Sequence, residues 1–501
     1  MKTHLTRLTP VAMAMWLSLG TGVVQAGEAI DLGDGVKLDW RLNTSYGLGT
    51  RLGDPSPLLN SDGNNNFKKG ALTANRLGVL LDSKLSKGDT GMVLTASTFY
   101  DDVYHRRNDN RGPISTSGPV DEFTSAAKRY GGGYSRLLDT YVYTSFNLGA
   151  SSRANVRVGR QVVNWGESMY FANIAAAQGP SDAAKAASPG AEIKEVLLPE
   201  DQISASIEVT PELSLLGHYQ YNFHETLLPA VGMYTSTSNL LGAGATCGFK
   251  SGPTCLLSRR DDVRPGKSGQ WGLGGRYRVS NETEVGLYYL NYKDRSPSIV
   301  MGSGSYQVKY FDDIKMLGTT VSTTFGKFSA FGEGSYRKGT PALIGPTSRA
   351  VRSNVLQANV GGILNIGRTS FADDVSLVAE VSGSRVMGLD EGSTGDLSFK
   401  TRNSLVAGVA LTLGYPGIFE GWDLTVPLSF QSQLRGRALV GTFGGGQGDS
   451  RLSIGATFVR KTNFSVNVTY AGYLGSPSND ALKNHSLADR DQLSMTMKYS
   501  F

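Results

Sequence analysis

The final eleven residues, "DQLSMTMKYSF" (491–501), place Leu493, Met495, Met497, Tyr499 and Phe501 on every second position, with Gln492, Ser494, Thr496, Lys498 and Ser500 between them. A strict period of two means an extended strand with one apolar and one polar face. The same pattern recurs along the chain. "VKLDWRLN" sets Val36, Leu38, Trp40 and Leu42 against Lys37, Asp39, Arg41 and Asn43, and "NFSVNVTY" sets Phe464, Val466, Val468 and Tyr470 against Ser465, Asn467 and Thr469.

Extended to the whole sequence, the alternation predicts eighteen strands. They lie at about 36–47, 74–85, 91–101, 136–148, 153–163, 201–210, 213–223, 270–279, 283–293, 312–325, 327–337, 353–366, 373–386, 400–413, 421–433, 449–461, 463–473 and 489–501. Their connections are alternately long and short, which collects eight short turns at one end and nine longer loops at the other. That sorting, with strands of about ten residues, predicts an all-β fold: a transmembrane antiparallel up-and-down barrel of about 18 strands (range 14–18). A soluble propeller or sandwich has no reason to sort its loops, and no repeat of about 20–50 residues is visible.

Composition agrees. Charged residues are 18% of the 501, and there are 63 glycines and 22 tyrosines. Residues 1–26 carry Lys2 and Arg7, an apolar stretch from Val11 to Leu19 and a Val24-Gln25-Ala26 cleavage site, the pattern of a secretory signal peptide, leaving 27–501 as the barrel. Losing Lys2 and Arg7 lowers the formal charge from +6 to +4, with no basic block to suggest nucleic-acid binding. Cys247 and Cys255, in "TCGFKSGPTC", read as one local disulfide rather than a metal site.

In a barrel this wide the faces invert, so that lipid meets the apolar face and a wet lumen meets the polar one. The predicted lining includes Lys37, Asp39, Arg41, Arg76, Asp82, Lys84, Arg157, Glu208, Arg276, Arg278, Glu284, Glu333, Arg337, Glu380 and Asp423. The third long loop, 164–200, is predicted to fold into the lumen and narrow it, with a short helix around Ser181–Ala187. Its opening cluster supplies the candidate constriction and substrate residues. Trp165, Tyr170 and Phe171 would offer apolar area, Arg160 and Glu167 would orient a polar head, and Gly159, Gln161, Gly166 and Ser168 complete the set. No catalytic motif assembles: "GESMY" lacks the second Gly of a nucleophile elbow, "HETLL" is not H-E-x-x-H, and His218 and His224 on one strand face lack a readable partner. The expectation is therefore neither an enzyme nor a cofactor protein.

The segments "GRQVVNWGESMYF" (159–171) and "LPEDQISASIEVTPELSLLGHYQYNF" (198–223) resemble a proteobacterial outer-membrane family that carries a domain-of-unknown-function label. The resemblance runs over essentially the whole mature chain. It implies a large barrel in the outer membrane of a Gram-negative bacterium, passage of hydrophobic or amphipathic molecules, and a periplasmic lipid-carrier-like protein as a partner. The terminal strand ending in Phe501 resembles the signal read by the barrel-assembly machinery. A non-selective diffusion porin, suggested by the mixed-sign lining, and an adhesion barrel binding through residues 235–262 are the alternatives.

Overall fold

A computed structural model describes residues 29–112, 118–149, 152–441, 444–460 and 463–501. The signal peptide expected at 1–26 lies outside them. Among the described residues, eighteen antiparallel strands form one closed sheet. In chain order they are β1 (Val36–Arg51), β2 (Leu72–Lys87), β3 (Thr90–Asp101), β4 (Ser135–Leu148), β5 (Ser152–Gln161) and β6 (Glu200–Glu208). Then come β7 (Leu213–Gln220), β8 (Gln270–Arg278), β9 (Thr283–Tyr292), β10 (Ile314–Phe325), β11 (Phe328–Ile344) and β12 (Arg349–Asn365). The last six are β13 (Asp374–Leu389), β14 (Asn403–Phe419), β15 (Trp422–Arg435), β16 (Ser450–Arg460), β17 (Phe464–Leu474) and β18 (Gln492–Ser500).

Each strand pairs with its neighbour in sequence, and β18 closes the ring on β1 from Asn43↔Ser500 to Arg51↔Gln492. A short strand, Ile30–Gly33, folds back on the start of β1 beyond the end of that seam. All eighteen expected strands are present. The sixth long connection differs, shrinking to residues 345–348, because its flanking strands keep pairing out to Ile344↔Arg349.

The faces are inverted as the alternation requires. On β9, Leu287 is 60% exposed and points outward, whereas Tyr288 and Leu290, on the opposite register, are each 1% exposed. On β18, Leu493, Met497 and Tyr499 are exposed, as is Phe501 just after it, while Thr496 is buried and Lys498 reaches an acid inside the barrel. No helix among the described residues is long and apolar enough to cross a membrane. A closed ring of even strand number with an apolar outer face is the bacterial outer-membrane type. The chain is therefore an outer-membrane barrel of a Gram-negative bacterium.

Face inversion can be measured. Leu287→Arg, mid-strand on the lipid face, is expected to lower bilayer folding stability by about 2–4 kcal/mol in urea-driven refolding. Ser322→Arg on the lumen face of β10 should leave stability close to wild type; equal losses would contradict the assignment of faces.

Candidate functional site

Residues 162–199 leave β5, turn inward and lie across the lumen from wall to wall. Their first half packs on β7–β14. Trp165 stacks on Tyr288 of β9 with ring centroids 5.6 Å apart and meets His218 of β7 at 4.8 Å. Trp165 and Ile174 complete an apolar cluster with Ala177, Leu290 and Met316. Phe171 packs on Val406 of β14. Close approach needs bare backbone on the wall: a Cβ at Gly318 of β10 would lie 2.7 Å from Ile174 Cδ1.

Two wall carboxylates hold this half by its main chain. Glu333 of β11 accepts from the backbone N–H groups of Glu167 (2.7 Å), Ser168 (3.0 Å) and Ile174 (2.5 Å), and from the Ser168 hydroxyl (3.0 Å). Glu380 of β13 accepts from the N–H groups of Met169 (2.9 Å) and Tyr170 (2.7 Å). Between them Asn359 of β12 donates to the Ser168 hydroxyl, the Phe171 carbonyl and Glu380. Both glutamates are almost fully buried, and a buried carboxylate persists only with this density of donors. A tight turn begun by Asn164, which accepts from the Gly166 N–H at 3.0 Å, presents successive N–H groups to one side. That is the structural meaning of "NWGESMYF". Next along, Arg337 donates to the carbonyl and side-chain oxygens of Asn173.

The second half packs on the opposite wall. Arg136 of β4 pairs with Asp182 at 3.1 Å, Lys194 with Asp82 of β2 at 2.8 Å, and Lys498 of β18 with Glu192 at 2.7 Å. Lys185 and Arg76 both face Glu195. Burial lowers the Lys185 ammonium to about 8 against the pull of Glu195. The Glu195 carboxyl is held low, because Lys185 and Arg76 outweigh the opposing effect of its burial. The helix expected at Ser181–Ala187 is absent. Ser181 and Asp182 are held extended by bridges to Leu197 and Leu227, which leaves a turn capped by Asp182. The loop's helix is instead Ile193–Val196, started by a Glu192/Glu195 capping box.

The candidate residues divide accordingly. Trp165 and Phe171 are buried anchors of the loop, not exposed platforms. Ser168 is part of the latch. Gln161 is fully buried, bonded to Gln202 and Ser204. Arg160 parts company with the rest. It shares the outward register of Val158 and pairs with Asp201 at 3.0 Å, so it lies outside the cluster that holds the loop. Gly159, at φ +130°, brings its backbone against Tyr141, where a Cβ would lie 2.5 Å from the Thr140 carbonyl oxygen. Glu167 and Tyr170 remain partly open to the lumen. Burial raises the Glu167 carboxyl, with Arg276 opposing it. His218 and His224 do not form a pair: His218 lies buried against Trp165, and His224 sits beyond β7 with Nδ1 2.9 Å from Glu200. Cys247 and Cys255 are joined by a disulfide.

In the sequence Glu333 and Glu380 are lumen-facing acids with no role of their own. Their signal was an isolated acid on the lumen register, as in "FGEGSY", where glycines admit another backbone.

A family model described as a protein of unknown function, DUF1302, matches residues 7–501. No curated protein matches the sequence. Among solved structures, Acinetobacter baumannii OccAB1 is similar at TM-score 0.49 and 10% identity over 95% of this chain and 99% of that one. Pseudomonas aeruginosa OpdK with vanillate gives 0.44 and 9% over 93% and 98%, and OccK2 (OpdF) with glucuronate gives 0.43 and 10% over 93% and 98%.

Glu333→Gln with Glu380→Gln swaps carboxylate acceptors for amides, and removing each charged hydrogen bond costs about 1.5–3 kcal/mol. The first half of the loop should detach: chymotrypsin should cut after Tyr170 or Phe171 in the folded barrel, and single-channel conductance should rise. A protected loop with unchanged conductance would show that the glutamates do not hold it.

Proposed function

The chain belongs to the DUF1302 family, and from its porin-like barrel and the loop that crosses it we propose a passive channel for small hydrophobic or amphipathic molecules. One observation carries the reading. The loop's free side presents Met169, Ile193 and Leu197, which are 50%, 76% and 44% exposed, whereas the apolar wall residues Leu290, Met316 and Val406 are covered by the loop. Apolar side chains left wet inside a channel gain nothing for folding and offer contact area to a passing solute.

Charged and aromatic groups lie beside this apolar edge. Lys194 bonds to Asp82, and two residues along the same face Lys84 sits 5.7 Å from the centre of the Tyr143 ring. Arg157 sits 5.6 Å from that of Tyr141. A solute with an apolar body and a polar head would find a partner for each along this path. Glu167 and Tyr170 stand at the loop's other open edge, while Trp165 and Phe171 would act on selectivity by fixing the loop's position. Movement is down a gradient. On this reading Phe501 and the outward face of β18 present the barrel to the assembly machinery and then to lipid, and a lipid-carrier-like protein would receive solute at the short-turn end.

Ile193→Asn with Leu197→Asn tests the reading in proteoliposomes. Flux of an aryl or medium-chain carboxylate should fall about tenfold, since covering one such side chain completely is worth about 1.5–3 kcal/mol. Potassium conductance should change less than about twofold, because a small ion is selected by polar and charged lining groups rather than apolar ones. Equal effects on both would favour the non-selective porin. Loss of surface binding on deleting 235–262, with conductance spared, would favour an adhesion barrel.

A further inference from the structure

At the loop end of the barrel a cavity of about 690 Å³ opens between the connections that follow β7 and β9. Its walls are built structure. Ser258–Arg259, Ser298–Gly302 and Ser305–Lys309 form a three-stranded sheet, and the Cys247–Cys255 disulfide pins the hairpin beside it. Leu227, Leu228, Leu241, Val308 and Tyr310 supply apolar lining. The floor is tied to the lumen loop: the Leu227 N–H donates to the Ser181 carbonyl at 2.8 Å, and the Ala183 N–H to the Leu227 carbonyl at 2.9 Å.

The charged lining is mostly committed. Arg264 grips Glu225 through two nitrogens, at 2.7 and 3.0 Å, and Arg259 grips Asp262 at 2.8 and 3.0 Å. Arg260 and Asp261 also line the cavity and are exposed. The two differ in reach. The Asp261 carboxylate stays within one methylene of the backbone, whereas the Arg260 guanidinium extends on three and can present a planar fork to a carboxylate inside the cavity.

We propose that this cavity is an outer capture site for an amphipathic carboxylate of up to drug size, its body on the leucines and its head on Arg260. The volume lies within the range of small-molecule sites, and the five apolar side chains share the lining with six charged ones, four of them already paired with one another. Because the floor is main-chain bonded to Ser181 and Ala183, a captured solute waits directly against the loop it must pass. The proposal rests on the amphipathic-channel reading and adds a place where the solute is first held.

The test uses the full-length protein in planar bilayers and nanodiscs, with 2-naphthoate as probe. Added on the loop side, it should interrupt the ion current, and it should bind in nanodisc titrations. Arg260→Ala should weaken binding by about tenfold, the size of one charged hydrogen bond, and Leu228→Trp, which puts a bulkier ring where the solute body would lie, should weaken it as well. Heat-modifiable gel mobility reports that each variant is folded; Arg260 is exposed, so its variant keeps the test alive should the tryptophan disturb folding. Wild-type binding in Arg260→Ala, or in both folded variants, overturns the capture site. If 2-naphthoate crosses wild-type proteoliposomes yet binding is insensitive to these changes, the capture site alone fails; if it neither binds nor crosses, the channel reading fails with it.

Discussion

Everything in this molecule follows from the requirement that backbone N–H and C=O groups in hydrocarbon be paired within the protein. An isolated strand cannot meet it, so the sheet must close, and β18 returns to β1 to do so. Closure over eighteen strands makes a ring too wide for its own side chains to fill. Water then occupies the inside, which reverses the usual burial rule and sends leucines such as Leu287 outward. A wide wet interior would leak, and the chain narrows it with residues 162–199.

Holding a loop in a polar lumen is a different problem from holding a strand in a sheet. Apolar packing helps where Trp165, Ile174 and Phe171 reach the wall. Position is set mainly by charged groups placed on the wall: Glu333 and Glu380, read by main chain, on one side, and Arg76, Asp82, Arg136 and Lys498, paired with side chains of the loop, on the other. Such groups are costly to bury alone and strong when fully donated to. The latch therefore fixes one loop path, and the exposed Met169, Ile193 and Leu197 follow from it.

Strands were legible because a period of two on a closed barrel leaves few other folds. Even the last residues could be read: the apolar register of Leu493–Phe501 faces outward, and Lys498 faces in. The loop's destination could be expected from its length and small residues. What each of its residues does could not. Trp165 and Phe171 look like solute contacts in sequence because aromatic residues suit both a ligand and an anchor. Burial separates the two roles, and it depends on glycines far away in sequence, Gly272 against Trp165 and Gly408 against Phe171. Arg160 was misplaced for a simpler reason. Its neighbours Gly159 and Gln161 occupy the lumen register, so the same alternation that revealed the strand puts Arg160 outside. The helix at 181–187 failed because cross-loop bridges, invisible to local propensity, hold its cap extended.

Residues 162–199 are thus the barrel's constriction. Replacing 167–195 with a short Gly-Ser linker and recording single-channel conductance tests it most directly. The barrel should still fold, its conductance should rise several-fold, and its current should no longer respond to amphipathic carboxylates. A folded barrel with wild-type conductance and wild-type block would contradict it.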